Sequence, residues 1–271
     1  MYDILKKLTL FVLPKSLLLK LEFGLRNIIY LFKYKGKNYN CVVCEAELKN
    51  FVRLKEDALC PKCGSLKRTR FLKTLIDHYS VKRNDSFLHF TPHRYLMKLL
   101  NHKPNYMASD FLGVNTSHNF DITELPLPSN SVDIIICYHI LEHVPNDSKA
   151  MSELYRVVKP NGTILLQVPF RDGETLEDET ITSPQERLKH FGQEDHVRWY
   201  SFDDFVERLK LTGFTIKILT PSNFELDTDK LGLNSNEWES LTKNNYKWLT
   251  KSLQVSRTSL TGLLPKSGRA K

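Results

Sequence analysis

Short apolar runs begin to alternate with helical stretches at Ser86 and continue to about residue 220. That alternation marks a parallel sheet built from βαβ units. The runs predict strands at 86–90, 106–109, 118–120, 132–138, 163–168 and 214–219, with helices at 94–101, 147–158 and 202–212. Pro160-Asn161-Gly162 predicts a turn that stops the helix before it and launches the next strand. Residues 171–200 are highly charged and too long for a plain αβ loop, so they predict a lid or an acceptor-binding insertion. Upstream, a compact module over 38–64 precedes a helix expected to start from a Ser65 cap and to run to about Tyr79. Phe71, Leu72, Leu75 and Ile76 share one face of that helix. Beyond residue 222 the pattern fades, and no internal repeat is visible.

The first 34 residues are rich in Leu, Ile and Phe, but basic residues recur throughout. Pro14 breaks a first short helix and Ser16 caps a second. Lys15, Lys20, Glu22 and Arg26 interrupt every apolar run before the roughly 20 residues a bilayer span needs. Two arrangements suit this arm: a helix on an anionic membrane surface, or a helix packed on the domain or on a partner. In the first, Leu17, Leu21, Leu25, Ile28 and Phe32 anchor it, while Lys20, Arg26 and Lys33 face the lipid charge.

The chain has 271 residues, of which 41% are hydrophobic and 11% aromatic, enough for a packed core. Its net charge of +8 is unevenly spread. Residues 1–40 carry +6, 41–83 carry +5, 84–225 carry −7 and 226–271 carry +4. Polyanion contacts are therefore expected at the ends of the chain, not on the central body. Four parts follow: a basic amphipathic arm (1–37), a cysteine module with its linking helix (38–83), a central α/β domain (84–225) and a basic extension (226–271).

Cys41-Val-Val-Cys44 and Cys60-Pro-Lys-Cys63-Gly64 stand fifteen residues apart, the spacing of a zinc ribbon. Two residues between ligands let one tight turn aim both sulfurs at one ion, and Gly64 supplies the positive φ such a knuckle demands. Four thiolates leave no position for water, so a structural zinc ion is expected. With no secretory signal pattern at the N-terminus, this usage predicts a reducing, cytoplasmic setting rather than disulfides. A peripheral position at the inner membrane face goes with the arm's first arrangement. The fifth cysteine, Cys137, is expected in the core.

In doubly wound sheets, ligands sit outside the carboxyl ends of the strands. Asp110 follows the second strand, twenty residues after Phe90, a placement suited to ribose hydroxyls. Asp121 follows the third, where its carboxylate suits an adenine amino group and the neighbouring Ile122 N–H suits the ring. Taken singly, each aspartate is more often a turn or cap residue.

The stretch from Asp121 to Asp133, then Ile134 to His143 (with His139-Ile-Leu-Glu142-His143), then Glu153 to Gly162 resembles the type-11 branch of class I S-adenosylmethionine-dependent methyltransferases. Phe191 to Tyr200 and the upstream cysteines resemble a bacterial subgroup of that branch. The resemblance covers roughly residues 38–220 and implies a Rossmann-like, doubly wound α/β sheet of seven strands with a small N-terminal zinc ribbon. It also implies S-adenosylmethionine as donor, with ribose contact at Asp110 and adenine contact at Asp121. Phe90, Thr91, Pro92 and Tyr138 complete the expected cofactor surface. One departure stands out: the family's G-x-G-x-G loop is absent, and Phe90 runs into Thr91-Pro92-His93-Arg94. Thr91 and Pro92 can instead form a tight turn whose N–H groups face the cofactor carboxylate.

His139-Ile-Leu-Glu142-His143 also has the spacing of inverted zinc peptidases, but that chemistry needs a helix, and this motif follows a strand and precedes Pro145. In the methyltransferase reading, His139 orients the acceptor or acts as base, while His143 bonds loop backbone. Asp195 beside His196 suggests a base held in one tautomer, and Arg198 a grip on an acceptor anion. The alternative for these three is a salt-bridged lid hinge. Glu174, Glu177, Asp178 and Glu179 are expected to form a solvated loop.

The function expected is methyl transfer to a hydroxyl or similar group of a small-molecule or cell-envelope glycan acceptor. Two alternatives stand beside it. One is RNA methylation with the ribbon as docking module, favoured by Lys62, Lys67, Arg68 and Arg70 and opposed by the acidic body. The other is a non-catalytic binding protein on the same scaffold.

Overall fold

The computed structural model describes residues 24–54, 57–79, 84–111, 116–219 and 252–256. These fall into two compact units. The first holds the described residues up to 79 together with 93–96, and the second holds the remainder. Most of the expected arm (residues 1–23, with Leu17, Lys20 and Leu21) and most of the expected extension at 226–271 lie outside the described residues.

The first unit is the cysteine module. A helical segment over 24–29 widens into a π-turn (Tyr30–Tyr34) and leads into β1 (Lys35–Asn40). β1 pairs antiparallel with β2 (Glu47–Leu48), and β3 (Val52–Arg53) pairs antiparallel with β4 (Ala58–Leu59). Each hairpin delivers one cysteine pair. Helix α1 (Lys67–His78) follows, and Phe71, Leu72, Leu75 and Ile76 are all buried along it. Burial of each such side chain contributes about 1.5–3 kcal/mol.

Ser65 does not cap this helix. Leu66 occupies the N-cap without a side-chain bond, and Asp57 Oδ1 accepts the Lys67 N–H at 3.0 Å instead. Ser65 is drawn away by sulfur, its Oγ lying 3.1 Å from Cys63 Sγ.

The second unit is an α/β domain. β5 (Phe87–Phe90), α2 (Arg94–Leu100, whose first turn is grouped with the first unit), β6 (Tyr106–Ser109), β7 (Val132–Tyr138), α3 (Asp147–Val157) and β8 (Val158–Gln167) follow in order. Then come β9 (Phe170–Arg171), β10 (Leu176–Glu177), α4 (Pro184–Phe191), β11 (Arg198–Ser201), α5 (Phe202–Leu211), β12 (Thr215–Leu219) and β13 (Ser252–Ser256). The main sheet has the order β12-β13-β8-β7-β5-β6. β5, β6, β7 and β8 run parallel, and β13 lies antiparallel between β8 and β12.

The order reverses between β5 and β7, which makes their carboxyl ends a topological switch point. The expected strand at 118–120 is reduced to one parallel bridge, Ser109 to His118, beyond β6. This is the doubly wound, Rossmann-like class expected from the alternation, preceded by a small cysteine module.

Alternate residues of β7 and of the second half of β8 pack against α3 and α5 on one face of the sheet. Ile135, Cys137, Ala150, Met151, Leu154, Ile164, Leu166, Phe205 and Leu209 form one core with Leu253 and Val255 of β13. Burial pushes the Cys137 thiol well up, as for a packed core residue.

Pro160-Asn161-Gly162 does not separate helix from strand. α3 ends at Val157, and β8 starts at once. The four residues after Val158 bulge opposite Asp133, so pairing passes from Val132↔Val158 to Ile134↔Thr163. A Cβ on Gly162 would lie 2.7 Å from Val158 Cγ2 and 2.9 Å from the Lys159 carbonyl oxygen, so the bulge closes only around glycine.

The charged 171–200 segment is ordered into a three-stranded sheet, β10-β11-β9, and α4. Ser183 caps α4, Pro184 opens it, and Gly192 ends it at φ 83°.

Candidate functional site

The ribbon's ligands fit their ion. Cys41 and Cys63 sulfurs are 3.8 Å apart, Cys44 and Cys60 sulfurs 3.7 Å, and all four lie within 4.8 Å of one another. Four thiolates at a Zn–S distance of about 2.3 Å form a tetrahedron with edges of about 3.8 Å. The cage therefore suits a closed structural zinc site, with the Ser65 N–H donating to Cys63 Sγ at 3.4 Å.

Arg70, fully buried in the same unit, donates to the carbonyls of Ser65 and Ala58 and lies over the Phe51 ring. Burial pushes its guanidinium pKa down, while the cysteine sulfurs favour its charge. Its cation thus offsets the surplus negative charge of a tetrathiolate centre. Lys67 is buried as well. Two of the four cations expected to dock RNA are therefore withdrawn from solvent.

The second unit gathers its polar residues at the carboxyl ends of β5 to β8. Phe90 ends β5 and is buried. Thr91 follows at φ 43°, its N–H donating to the Ser109 carbonyl at 2.7 Å. A β-branched residue at positive φ is a genuine outlier. The left-handed step that a glycine usually supplies after the first strand is here forced on threonine.

Asp110 follows β6 and is half-buried, its N–H bonded to the His118 carbonyl. Asp121 is exposed, and its Oδ1 accepts from both the N–H and the hydroxyl of Thr123 at 2.8 Å. That is an Asx turn, which presents Ile122 next to it. Tyr138 is the last residue of β7 and pairs with Gln167, the last of β8.

His139 leaves β7 at φ 55°, its N–H held by the Gln167 carbonyl at 2.8 Å. Its Nδ1 is 3.1 Å from Glu142 Oε1, so its partner is a carboxylate and not loop backbone. Leu141–His143 is a 3₁₀ turn, not the helix a peptidase motif requires. Three buried polar atoms on this edge have no hydrogen-bond partner: His139 Nε2, Glu142 Oε2 and Gln167 Oε1.

The Asp195-His196 pair divides. His196 Nδ1 bonds the Phe191 carbonyl at 3.2 Å, while Asp195 Oδ2 meets His143 Nδ1 at 3.3 Å. Asp195 therefore orients His143, and the Phe191 carbonyl, not Asp195, holds the His196 ring. Burial lowers the His196 pKa, and its ring packs edge-on against His143 at 4.7 Å.

Arg198 is not available to an acceptor anion. It is buried and donates to the Leu141, Val144 and Pro145 carbonyls and to Glu177. Glu177 in turn binds Arg208 at 2.6 Å, so it belongs to a salt-bridged network and not to a solvated loop. Of the hinge alternative, these contacts show the salt bridging for Arg198. A cavity of about 700 Å³ beside it is lined by Asp147, Glu177, Arg187, Arg198 and Arg208.

Residues 95–166 match the methyltransferase domain family. A Mycolicibacterium smegmatis protein named "probable S-adenosylmethionine-dependent methyltransferase" is 28% identical over 97 residues, covering 36% of this chain and 34% of the relative. The ubiquinone biosynthesis O-methyltransferase of Photobacterium profundum is 24% identical over 131 residues, 48% of this chain and 49% of the relative. The chain thus spans a third to a half of these relatives' lengths. A solved S-adenosylmethionine-dependent methyltransferase from Archaeoglobus fulgidus aligns over 70% of this chain and 94% of its own, at 15% identity and a TM-score of 0.45. The matched stretch lies almost wholly within the second unit, and the tetracysteine cluster precedes it in sequence.

Proposed function

We propose that this chain is an S-adenosylmethionine-dependent methyltransferase whose acceptor is a hydroxyl or similar group of a small molecule or cell-envelope glycan. The observation that carries the reading is the trio of buried, partnerless atoms on His139, Glu142 and Gln167 at the carboxyl edge. Buried polar atoms are costly unless something bonds them, so such a cluster points to a ligand at the carboxyl ends of β7 and β8.

In this reading Asp110 accepts from the ribose hydroxyls. Asp121 and the Ile122 N–H take the adenine, and the Phe90–Thr91–Pro92 turn and Tyr138 line the methionine half. The cofactor supplies a methyl group already activated on a sulfonium, so the protein's task is in-line positioning. His139 holds or accepts the acceptor's proton, with Glu142 fixing its ring, and His196 supports the acceptor side.

Docking on RNA is the weaker alternative, because Arg70 and Lys67 are buried. Among the described residues no helix is long and apolar enough to cross a membrane.

Calorimetry tests the reading. The wild type is expected to bind S-adenosylmethionine, and Asp110→Ala to lose at least tenfold in affinity, since a charged hydrogen bond is worth about 1.5–3 kcal/mol. Asp195→Ala is expected to leave that affinity unchanged. No binding by the wild type, or equal loss in both variants, overturns the assignment.

A further inference from the structure

A second set of metal-ligating groups lies apart from the ribbon. Glu142, His143 and His196 each offer one ligand atom, and these atoms lie within 4.8 Å of one another. Their hydrogen bonds fix which nitrogens keep a lone pair. His196 Nδ1 is 3.2 Å from the Phe191 carbonyl oxygen, an acceptor only, so Nδ1 carries the proton and Nε2 keeps its lone pair. His143 Nδ1 is 3.3 Å from both the Asp195 carbonyl and Oδ2, which selects the same tautomer. An imidazole whose outer N–H is held by a carbonyl or a carboxylate is oriented in the way metal ligands are.

The third ligand brings an independent observation. The Glu142 side chain is fully buried. Its Oε1 is engaged by His139 Nδ1, while Oε2 is buried without a partner. A buried carboxylate oxygen left unpaired is strongly disfavoured, and a cation would resolve it.

We infer that Glu142, His143 and His196 form a binding site for a divalent first-row transition ion. Two neutral imidazoles and one carboxylate suit zinc, iron(II) or manganese and leave coordination positions open. His143 is 31% exposed on its side chain, so the site is reachable from solvent, whereas the tetrathiolate cage is closed. The role of the ion rests on the methyltransferase reading: Glu142 also bonds His139, and a bound ion would make an acceptor hydroxyl it held more acidic.

The test uses the full-length protein purified without chelator, with the ribbon accounting for one equivalent of metal. Loading with Zn²⁺, Mn²⁺ or anaerobic Fe²⁺, followed by gel filtration and elemental analysis, is expected to raise the total to two. Co²⁺ at the second site is expected to show ligand-field bands without the intense thiolate charge-transfer absorption of the ribbon. Glu142→Gln and His143→Gln are each expected to keep the first equivalent and lose the second. Asp195→Ala, which frees the His143 ring, is expected to weaken the second site about 10–100-fold.

A wild type that holds one equivalent under every metal overturns the site. So does a Glu142→Gln/His143→Gln double variant that still holds two. Circular dichroism establishes that the variants are folded, and His143→Gln, on a partly exposed residue, guards against simple misfolding. Two metals without S-adenosylmethionine binding would sink the methyltransferase reading alone, and the reverse would sink the metal site alone.

Discussion

Glu45 and Gly64 occupy the same station in the two cysteine knuckles, one residue past the second cysteine, and both have positive φ, 56° and 77°. The backbone bonds repeat as well. The Glu45 N–H donates to the Cys41 carbonyl at 2.7 Å, and the Gly64 N–H to the Cys60 carbonyl at 2.9 Å. One knuckle thus has the residue its geometry prefers, and the other carries a strained glutamate.

Glu45→Gly is therefore expected to stabilise the module. The left-handed conformation costs an L-residue roughly 1–2 kcal/mol, and the entropy of a new glycine returns about 0.5–1 kcal/mol of that. A net gain of about 0.5–1 kcal/mol should appear in guanidinium unfolding followed by far-ultraviolet dichroism. Gly64→Ala should lose about 1–2 kcal/mol, although its Cβ meets nothing closer than 3.6 Å. Equal stability for both variants and the wild type would mean that φ is not what distinguishes the two stations.

Most of the central sheet was legible because β5, β7 and β8 are apolar runs whose length and spacing leave few alternatives. The cysteine spacing was similarly decisive. β13 escaped because only Leu253 and Val255 give it an apolar rhythm, and its pairing with Leu166 and Ile218 is long-range. It also lies within the stretch first assigned to a separate C-terminal extension.

At the site, positions on the carboxyl edge were legible, and partners were not. Asp195 is adjacent to His196 in sequence yet reaches His143 in space. Glu177 lies in an acidic run, but two arginines fold onto it. The unpaired oxygen of Glu142 had one signal, the H-x-x-E-H spacing, whose outcome depends on whether those residues form a helix. Gln167 had none beyond its place at a strand end.

Among the described residues, three partly buried carboxylates held below their ordinary pKa contribute to the response to acid. Glu153 is held below its ordinary pKa by the Arg156 guanidinium, against the upward pull of burial. Glu177 is held down by Arg208 and Arg198 in the same way. For Asp133 burial pulls upward most, but Lys159 and Ser86 outweigh it. A carboxylate whose folded pKa is depressed contributes stability that is complete above its unfolded value, about 3.9 for Asp and 4.3 for Glu. That stability is lost as pH falls through the depressed folded value. Thermal midpoints should therefore be flat in these groups near neutrality and fall steadily below about pH 4.5. Asp133→Asn should shrink the fall, because its clamp on Ser86 and Lys159 no longer titrates. An unchanged slope in that variant would remove Asp133 from the account.

The basic arm makes a separate forecast. Among the described residues, Leu25, Ile28, Leu31 and Phe32 are exposed at 41%, 54%, 49% and 88%. Their spacing puts them along one stretch of helical surface, next to the exposed Lys33. Apolar side chains of this size each stabilise a buried state by about 1.5–3 kcal/mol, and each nearby cation adds about 1 kcal/mol at an anionic surface. If the arm meets membrane, Ile28→Glu/Phe32→Glu should weaken sedimentation with phosphatidylserine-containing vesicles by at least tenfold without altering the far-ultraviolet dichroism. The wild-type affinity should also fall as salt rises, because charges are screened beyond about 10 Å at 0.1 M. Binding that survives both changes would assign the attraction to another part of the chain. No binding by the wild type would leave this apolar strip to a protein contact.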